Sequence, residues 1–191
     1  MSDHIRFARG DDAAAIAAIY EPFVRETWIS FEEVPPDETE MRGRIEGAAG
    51  VFPFVCAESG GEVAGYAYAS RHRDRSSYRW CVDTTVYVAD GRRRSGLARK
   101  LYSAVLTLAC EQGYHNAFAG IALPNDASVG FHRSAGFTDV GIYRAAGYKL
   151  GAWHDTLWMQ RVLAEPRAEP HEPVALSVLA PEILAAAFAE G

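Results

Sequence analysis

The stretch GRRRSGLARKL, Gly91–Leu101, decides how the chain is read. It sets three consecutive arginines, a serine and a glycine between a β-rich run, Trp80–Val88, and a segment of helical periodicity, Ser95–Gln112. In that segment Leu97, Leu101, Ala104, Val105 and Leu108 share one face, and Gly113 follows as a stop. A strand that becomes a helix through a basic, glycine-bearing turn makes a site for a compact anion. The first N–H groups of a helix have no intrahelical acceptor, and the dipole adds about half a positive charge at that end. Gly96 lets main chain approach a ligand, and Arg92, Arg93, Arg94 and Arg99 add charge of the same sign. A pyrophosphate fits this description. The turn is neither a Walker loop nor a GxGxxG fingerprint. Taken alone, it also reads as a solvated basic turn that merely opens a helix.

The rest of the chain makes this cluster stand out. The 191 residues carry a formal net charge of -6, and 49% are hydrophobic, enough to build one domain with a substantial core. An acidic chain is a poor general binder of nucleic acid, so the arginines call for a local, anionic partner. Cys56, Cys81 and Cys110 are odd in number and widely spaced; they read as reduced thiols, and no metal site is expected. The opening MSDHIRFARGDD lacks the apolar run of a signal peptide, and no stretch of 18 apolar residues occurs. The expectation is a cytoplasmic protein with no membrane segment.

Around the central stretch, periodicity predicts a strand at Ile5–Ala8 and a helix capped by Asp11 or Asp12 that carries Ile16, Ile19, Tyr20 and Phe23 on one face. Thr27–Pro36 reads as a loop and Glu38–Ala49 as a second helix. Phe52–Glu58 and Val63–Ser70 flank Ser59-Gly60-Gly61-Glu62, a hairpin signal. Arg71–Ser77 is a basic turn. After the central helix come an apolar run Asn116–Leu123, a short helix Asn125–Ser134, and strands Phe137–Arg144 and Thr156–Val162. The order is an α/β (α+β) pattern with one βαβ crossover, Val86–Leu123. The domain is expected to span 1–163. Residues 164–191 read as a flexible Pro/Ala-rich tail that ends in a possible short helix.

Arg93-Arg94-Ser95-Gly96-Leu97-Ala98 resembles the [Q/R]-x-x-G-x-[G/A] signature of the GNAT acyl-CoA-dependent N-acetyltransferases. Leu123-Pro124-Asn125-Asp126-Ala127-Ser128 through Gly136-Phe137 resembles that family's second cofactor segment. VDTTVYV, ALPNDAS, RAAGYKLGAWHD and LWMQR further resemble the branch that acetylates phosphinothricin, methionine sulfone and methionine sulfoximine. The resemblance covers about Ile5–Arg161. It implies a GNAT fold, with a mixed central sheet flanked by helices on both faces, acetyl-CoA as cosubstrate, a small amino acid or analogue as acceptor, and a homodimer.

The resemblance also implies roles. The strand before the basic turn splays from its parallel neighbour, and Val86, Tyr87 and Val88 line the cofactor arm through main chain. Arg93, Arg94, Ser95, Gly96, Leu97, Ala98 and Arg99 hold the pyrophosphate, and Asn125 and Ser128 the arm, with a helix cap as the other reading of Ser128. Asp83 stands where the branch has a glutamate base. Being one methylene shorter, it points to a water relay. His132 stands where many members place a tyrosine acid. Phe31, Arg75 and Tyr78 match acceptor-binding positions, whereas Arg71 and Arg73 read as solvated. Trp28, Tyr143, Tyr148, Trp153 and His154 are possible walls, and the other histidines, His4, His72, His115 and His171, have weaker claims than His132. The expected chemistry is acetyl transfer to an α-amine with Asp83 and His132 moving protons. The alternatives are acylation of another small amine or a protein N-terminus, and a coenzyme A sensor with little turnover.

Overall fold

The computed structural model describes residues 3–189. Seven strands form one sheet in the order β1 (His4–Phe7), β2 (Phe54–Ser59), β3 (Glu62–Arg71), β4 (Cys81–Val88), β5 (Asn116–Ala122), β7 (Ala152–Val162), β6 (Thr138–Lys149). All neighbours are antiparallel except β4 and β5. That parallel pair is joined by α3 (Leu97–Glu111), as a crossover connection requires. The remaining helices are α1 (Ala13–Glu26), α2 (Glu38–Ala48), α4 (Asp126–Ser134) and α5 (Pro181–Ala189).

Alternation along each strand divides the core in two. Val55, Ala67, Val82, Ala117 and Met159 meet Leu97, Leu101, Val105 and Leu108 of α3 on one face. Phe54, Cys56 and Tyr66 meet Ile16, Tyr20, Met41 and Ile45 of α1 and α2 on the other. Each fully buried aliphatic contributes about 1.5–3 kcal/mol relative to exposure. The helix stripe read from Leu97, Leu101, Ala104, Val105 and Leu108 is thus the seam of the first core: all five are buried.

Three expectations are corrected. Asp12 holds the N-cap position of α1, but its side chain does not cap the helix. Its carboxylate takes two hydrogen bonds from Arg6, at 2.7 and 2.8 Å, and one from the Arg9 amide at 2.7 Å. The last two strands are longer than their apolar content suggests. They form a hairpin whose turn, Leu150-Gly151, has both residues at positive φ, and two irregularities fall between Asp139 and Gly147. The residues after 163 are not a free tail. Trp80 Nε1 donates to His171 O at 2.7 Å, Arg79 pairs with Glu172, and Gln112 Nε2 donates to Val174 O at 2.8 Å. Leu176 and Ala187 are buried, and Phe188 meets Phe7 edge-on at 5.0 Å. Apolar residues in a Pro/Ala-rich segment found a seat against α3 and β1.

Candidate active site

The parallel pair β4–β5 holds together for only three residues: Cys81 faces Asn116, Val82 faces Ala117, and Asp83 faces Phe118. Beyond Asp83 the strands part. β4 continues beside β3 to Val88, and β5 continues beside β7 to Ala122. A fork opens in the middle of the sheet. Thr84 marks its vertex: its hydroxyl lies 2.6 Å from Tyr102 OH of α3 and donates to Phe118 O at 3.1 Å. The Ala89 amide donates to Ala64 O of the β3 side. Main-chain groups alternate along a strand, so those of Val88 and Val86 turn toward the fork. Tyr87 does not join them. Its peptide faces β3, and its ring packs on Tyr20 and Phe23 of α1 at 4.9 and 4.8 Å.

Just past the fork, α3 begins. Gly96 has φ +86°, the left-handed backbone that glycine adopts without cost, and Arg94 shares it at +62°. Ser95 Oγ donates to Arg92 O and accepts from the Leu97 amide at 3.4 Å. Among the described residues, the amides of Arg94, Ser95, Gly96 and Ala98 donate to nothing. Four N–H groups at the positive end of a 15-residue helix form a concave donor array suited to phosphate. The arginines are placed unequally. Arg92 reaches Ser59, Arg93 pairs with Asp90 and lies over Phe23, and Arg99 reaches Ser134 Oγ at 3.4 Å. Arg94 has no ion pair or side-chain hydrogen bond among the described residues. The Leu97 side chain is in the core, so only its position in the turn can serve a ligand.

On the same side of the sheet, Asn125 caps α4 by accepting from the Ser128 amide at 3.1 Å. The cap is therefore Asn125, not Ser128. His132 is buried among Tyr102, Phe131 and Phe137, each 5.3 Å away. Its Nδ1 donates to Ser128 O at 2.8 Å, which assigns the ring hydrogen to Nδ1 and the lone pair to Nε2. Burial pushes this imidazole below the ordinary histidine range, against the pull of that hydrogen bond.

Asp83 follows the opposite alternation from Thr84 and points to the α1–α2 face. Burial pushes its carboxyl up, and the hydrogen bond from His72 pulls it part of the way back. His72 Nδ1 sits 2.6 Å from Asp83 Oδ1. Trp158 is near, with its Nε1 buried and without a hydrogen-bond partner among the described residues. Arg73 stands 5.4 Å from the centroid of that indole, and Tyr143 packs on its other flank at 5.9 Å. Tyr78 meets His72 edge-on at 6.0 Å. Arg75 makes no ion pair among the described residues and lines a cleft of about 410 Å³ that Arg71, Arg73, Arg79 and Glu172 also line. Arg73 is exposed, as the sequence suggests, and its guanidinium also finds the Trp158 ring as a partner on this face.

The loop between α1 and α2 roofs this face and is held firmly. Trp28 stacks on His154 at 5.2 Å and donates to Pro124 O. Lys149 Nζ donates to Ser30 O and Glu32 O at 2.6 and 2.7 Å, and Arg44 grips Glu32 with two bonds of 2.8 Å. Phe31 is thereby pressed against Gly147, where a Cβ would come within 2.5 Å of its ring. Tyr148 and Trp153 lie farther out, packed on each other and mostly exposed.

This arrangement has known counterparts. The acetyltransferase (GNAT) domain family matches residues 5–158. A phosphinothricin N-acetyltransferase of Alcaligenes faecalis is 42% identical over 162 residues, covering 83% of this chain and 82% of the relative. An L-methionine sulfoximine/L-methionine sulfone acetyltransferase of Pseudomonas paraeruginosa is 36% identical over 172 residues, covering 89% of this chain and 100% of the relative. The crystal structure of a phosphinothricin acetyltransferase from Sinorhizobium meliloti in complex with AcCoA superimposes with a TM-score of 0.85 at 36% identity, covering 91% of this chain and 96% of that one. With a forked sheet, an amide cradle and this likeness along most of its length, the chain belongs to the GNAT acetyltransferase family.

Proposed function

We propose that the protein transfers the acetyl group of acetyl-CoA to the α-amine of a small amino acid or amino acid analogue of the phosphinothricin and methionine sulfoximine or sulfone kind. The observation that carries this reading is the fork above Asp83, which joins an amide cradle on one face to a carboxylate on the other. The donor set fits acetyl-CoA. The amides of Arg94, Ser95, Gly96 and Ala98, with Arg93, Arg94 and Arg99 beside them, suit a pyrophosphate, and the peptides of Val86 and Val88 suit an amide-bearing arm. Asn125 and Ser128 stand at the α4 end of that path. Bound there, acetyl-CoA supplies an activated acetyl thioester.

The chain's own residues do the rest. An amine with a pKa near 8 must lose a proton before it can attack. Asp83, half-buried at the vertex, is the acidic group on the acceptor side. His132 serves the sulfur side: its Nε2 lone pair accepts the proton that the newly acylated nitrogen sheds and passes it to the departing thiolate. Phe31 and Tyr78 shape the acceptor chamber, and Arg75 is kept as a carboxylate partner on the resemblance alone. Arg73 and the unpartnered Trp158 Nε1 favour an acceptor with an anionic or oxygen-rich end over a polyamine. Thiol release from acetyl-CoA, measured against a panel of amino acids, sulfoximines, sulfones, phosphinates and polyamines, tests the proposal. Turnover is expected with carboxylate-bearing acceptors, and turnover confined to polyamines, or none at all, defeats it.

The β6–β7 hairpin presents Val140, Ile142, Tyr143 and Tyr148 of the edge strand, Leu150 of the turn and Trp153 of β7 to solvent. A homodimer that covers this face is part of the proposal, and light scattering that gives one chain's mass at micromolar concentration would remove it.

A further inference from the structure

Asp83 does not stand alone. His72 follows the last residue of β3 and brings Nδ1 to 2.6 Å from the carboxylate. Its ring stacks on Phe118 at 4.2 Å and meets Tyr78 and Trp158 edge-on at 6.0 Å, which leaves 9% of the side chain exposed. A contact this short needs a hydrogen between nitrogen and oxygen. Asp83 accepts as a carboxylate, so the hydrogen belongs to Nδ1. In the neutral ring the lone pair is then on Nε2, which makes no hydrogen bond among the described residues. The charged and titratable groups around the ring are Asp83 from β4, and Arg73 and Tyr78 from the turn. β5 and β7 contribute the uncharged Phe118 and Trp158.

We infer that the base in the proposed reaction is His72, acting through Nε2, and that Asp83 is its positioning residue. The inference rests on the acetyltransferase reading above. One N–H bond of the substrate ammonium breaks and its electron pair stays on the amine nitrogen. One N–H bond forms at Nε2, and Asp83 remains a carboxylate that stabilises the imidazolium. This division of labour accounts for an aspartate at the vertex: the carboxylate need only hold a ring, not reach the amine.

His72→Asn separates this from a structural role. The amide can still donate to Asp83 but cannot accept the proton. With the best acceptor of the panel, kcat is expected to fall roughly 10²–10⁴-fold with acceptor KM within a few-fold, and the acidic limb of the kcat/KM–pH profile to disappear. Free imidazole added to His72→Gly is expected to restore part of the rate, which a folding defect would not allow. Coenzyme A affinity by calorimetry is expected to match the wild type in both variants. If the wild type turns over while His72→Asn keeps its rate and pH profile, His72 is not the base and the acetyltransferase reading survives. If the wild type turns over no amine, the underlying reading falls and this inference with it.

Discussion

The α3 side of the fork is made of main chain: four free amides between Arg94 and Ala98, the peptides of Val86 and Val88, and a helix end. The α1–α2 side is made of side chains drawn from distant segments, with Phe31 from a loop, His72 and Arg73 from a turn, and Asp83, Phe118 and Trp158 from three strands. Main-chain donors read a group that all cosubstrates of one kind share, so one short motif is enough. Side chains read what differs between acceptors, so they come from many places and vary freely.

If the two sides work separately, single substitutions should damage one without the other. Asp83→Asn is expected to lower kcat roughly 10²–10⁴-fold and to leave coenzyme A affinity unchanged in a calorimetric titration; a matching loss of affinity would show the sides to be one unit. Gly96→Val should do the reverse. Nothing crowds a Cβ there, but a β-branched residue at φ +86° costs about 1–2 kcal/mol, near a tenfold loss of coenzyme A affinity with acceptor KM intact. Gly147→Ala drives a methyl into the Phe31 ring, and pushing that ring off its rotamer, at about 0.5–1.5 kcal/mol, should raise acceptor KM roughly three- to tenfold without touching the donor side.

The smallest effect is on stability. His132 is held neutral by burial, with a folded pKa below the unfolded value near 6.5. The unfolded chain therefore binds the proton more readily. This contribution is whole above about pH 6.5 and is lost as pH falls through the folded pKa. The melting temperature of His132→Leu should depend less steeply on pH below about 6.5 than that of the wild type. Equal slopes would mean that the His132 environment does not resist protonation.

The same contrast explains what could be read in advance. The cradle was legible because strand, turn and helix are contiguous and each has its own signal. The α3 stripe and the Ser59–Glu62 hairpin were legible for the same reason. The other face was not. His72 sat in a run of arginines and looked like part of a solvated turn, and Trp158 looked like one more strand residue. Only register unites them: Ser70 pairs with Asp83, which places His72 just beyond it, and Phe118 lies across on β5. Hairpin spacing carried that information for β3 and β4, and counting back from Asp83 would have found His72. The length of the last hairpin was hidden because RAAGYKLGA lacks alternating apolar residues and its turn is signalled by a single glycine, Gly151.

The docked C-terminal segment bears on where this protein can be cut. The family match ends at residue 158, yet the Trp80 indole N–H, the Phe7 ring and one of the two hydrogen bonds of the Gln112 amide nitrogen have their partners after residue 163. A truncation drawn at the homology boundary would bare an apolar strip on β1 and α3 and remove one of the two carbonyls that hold the buried Gln112 amide, and aggregation during expression is the outcome to expect.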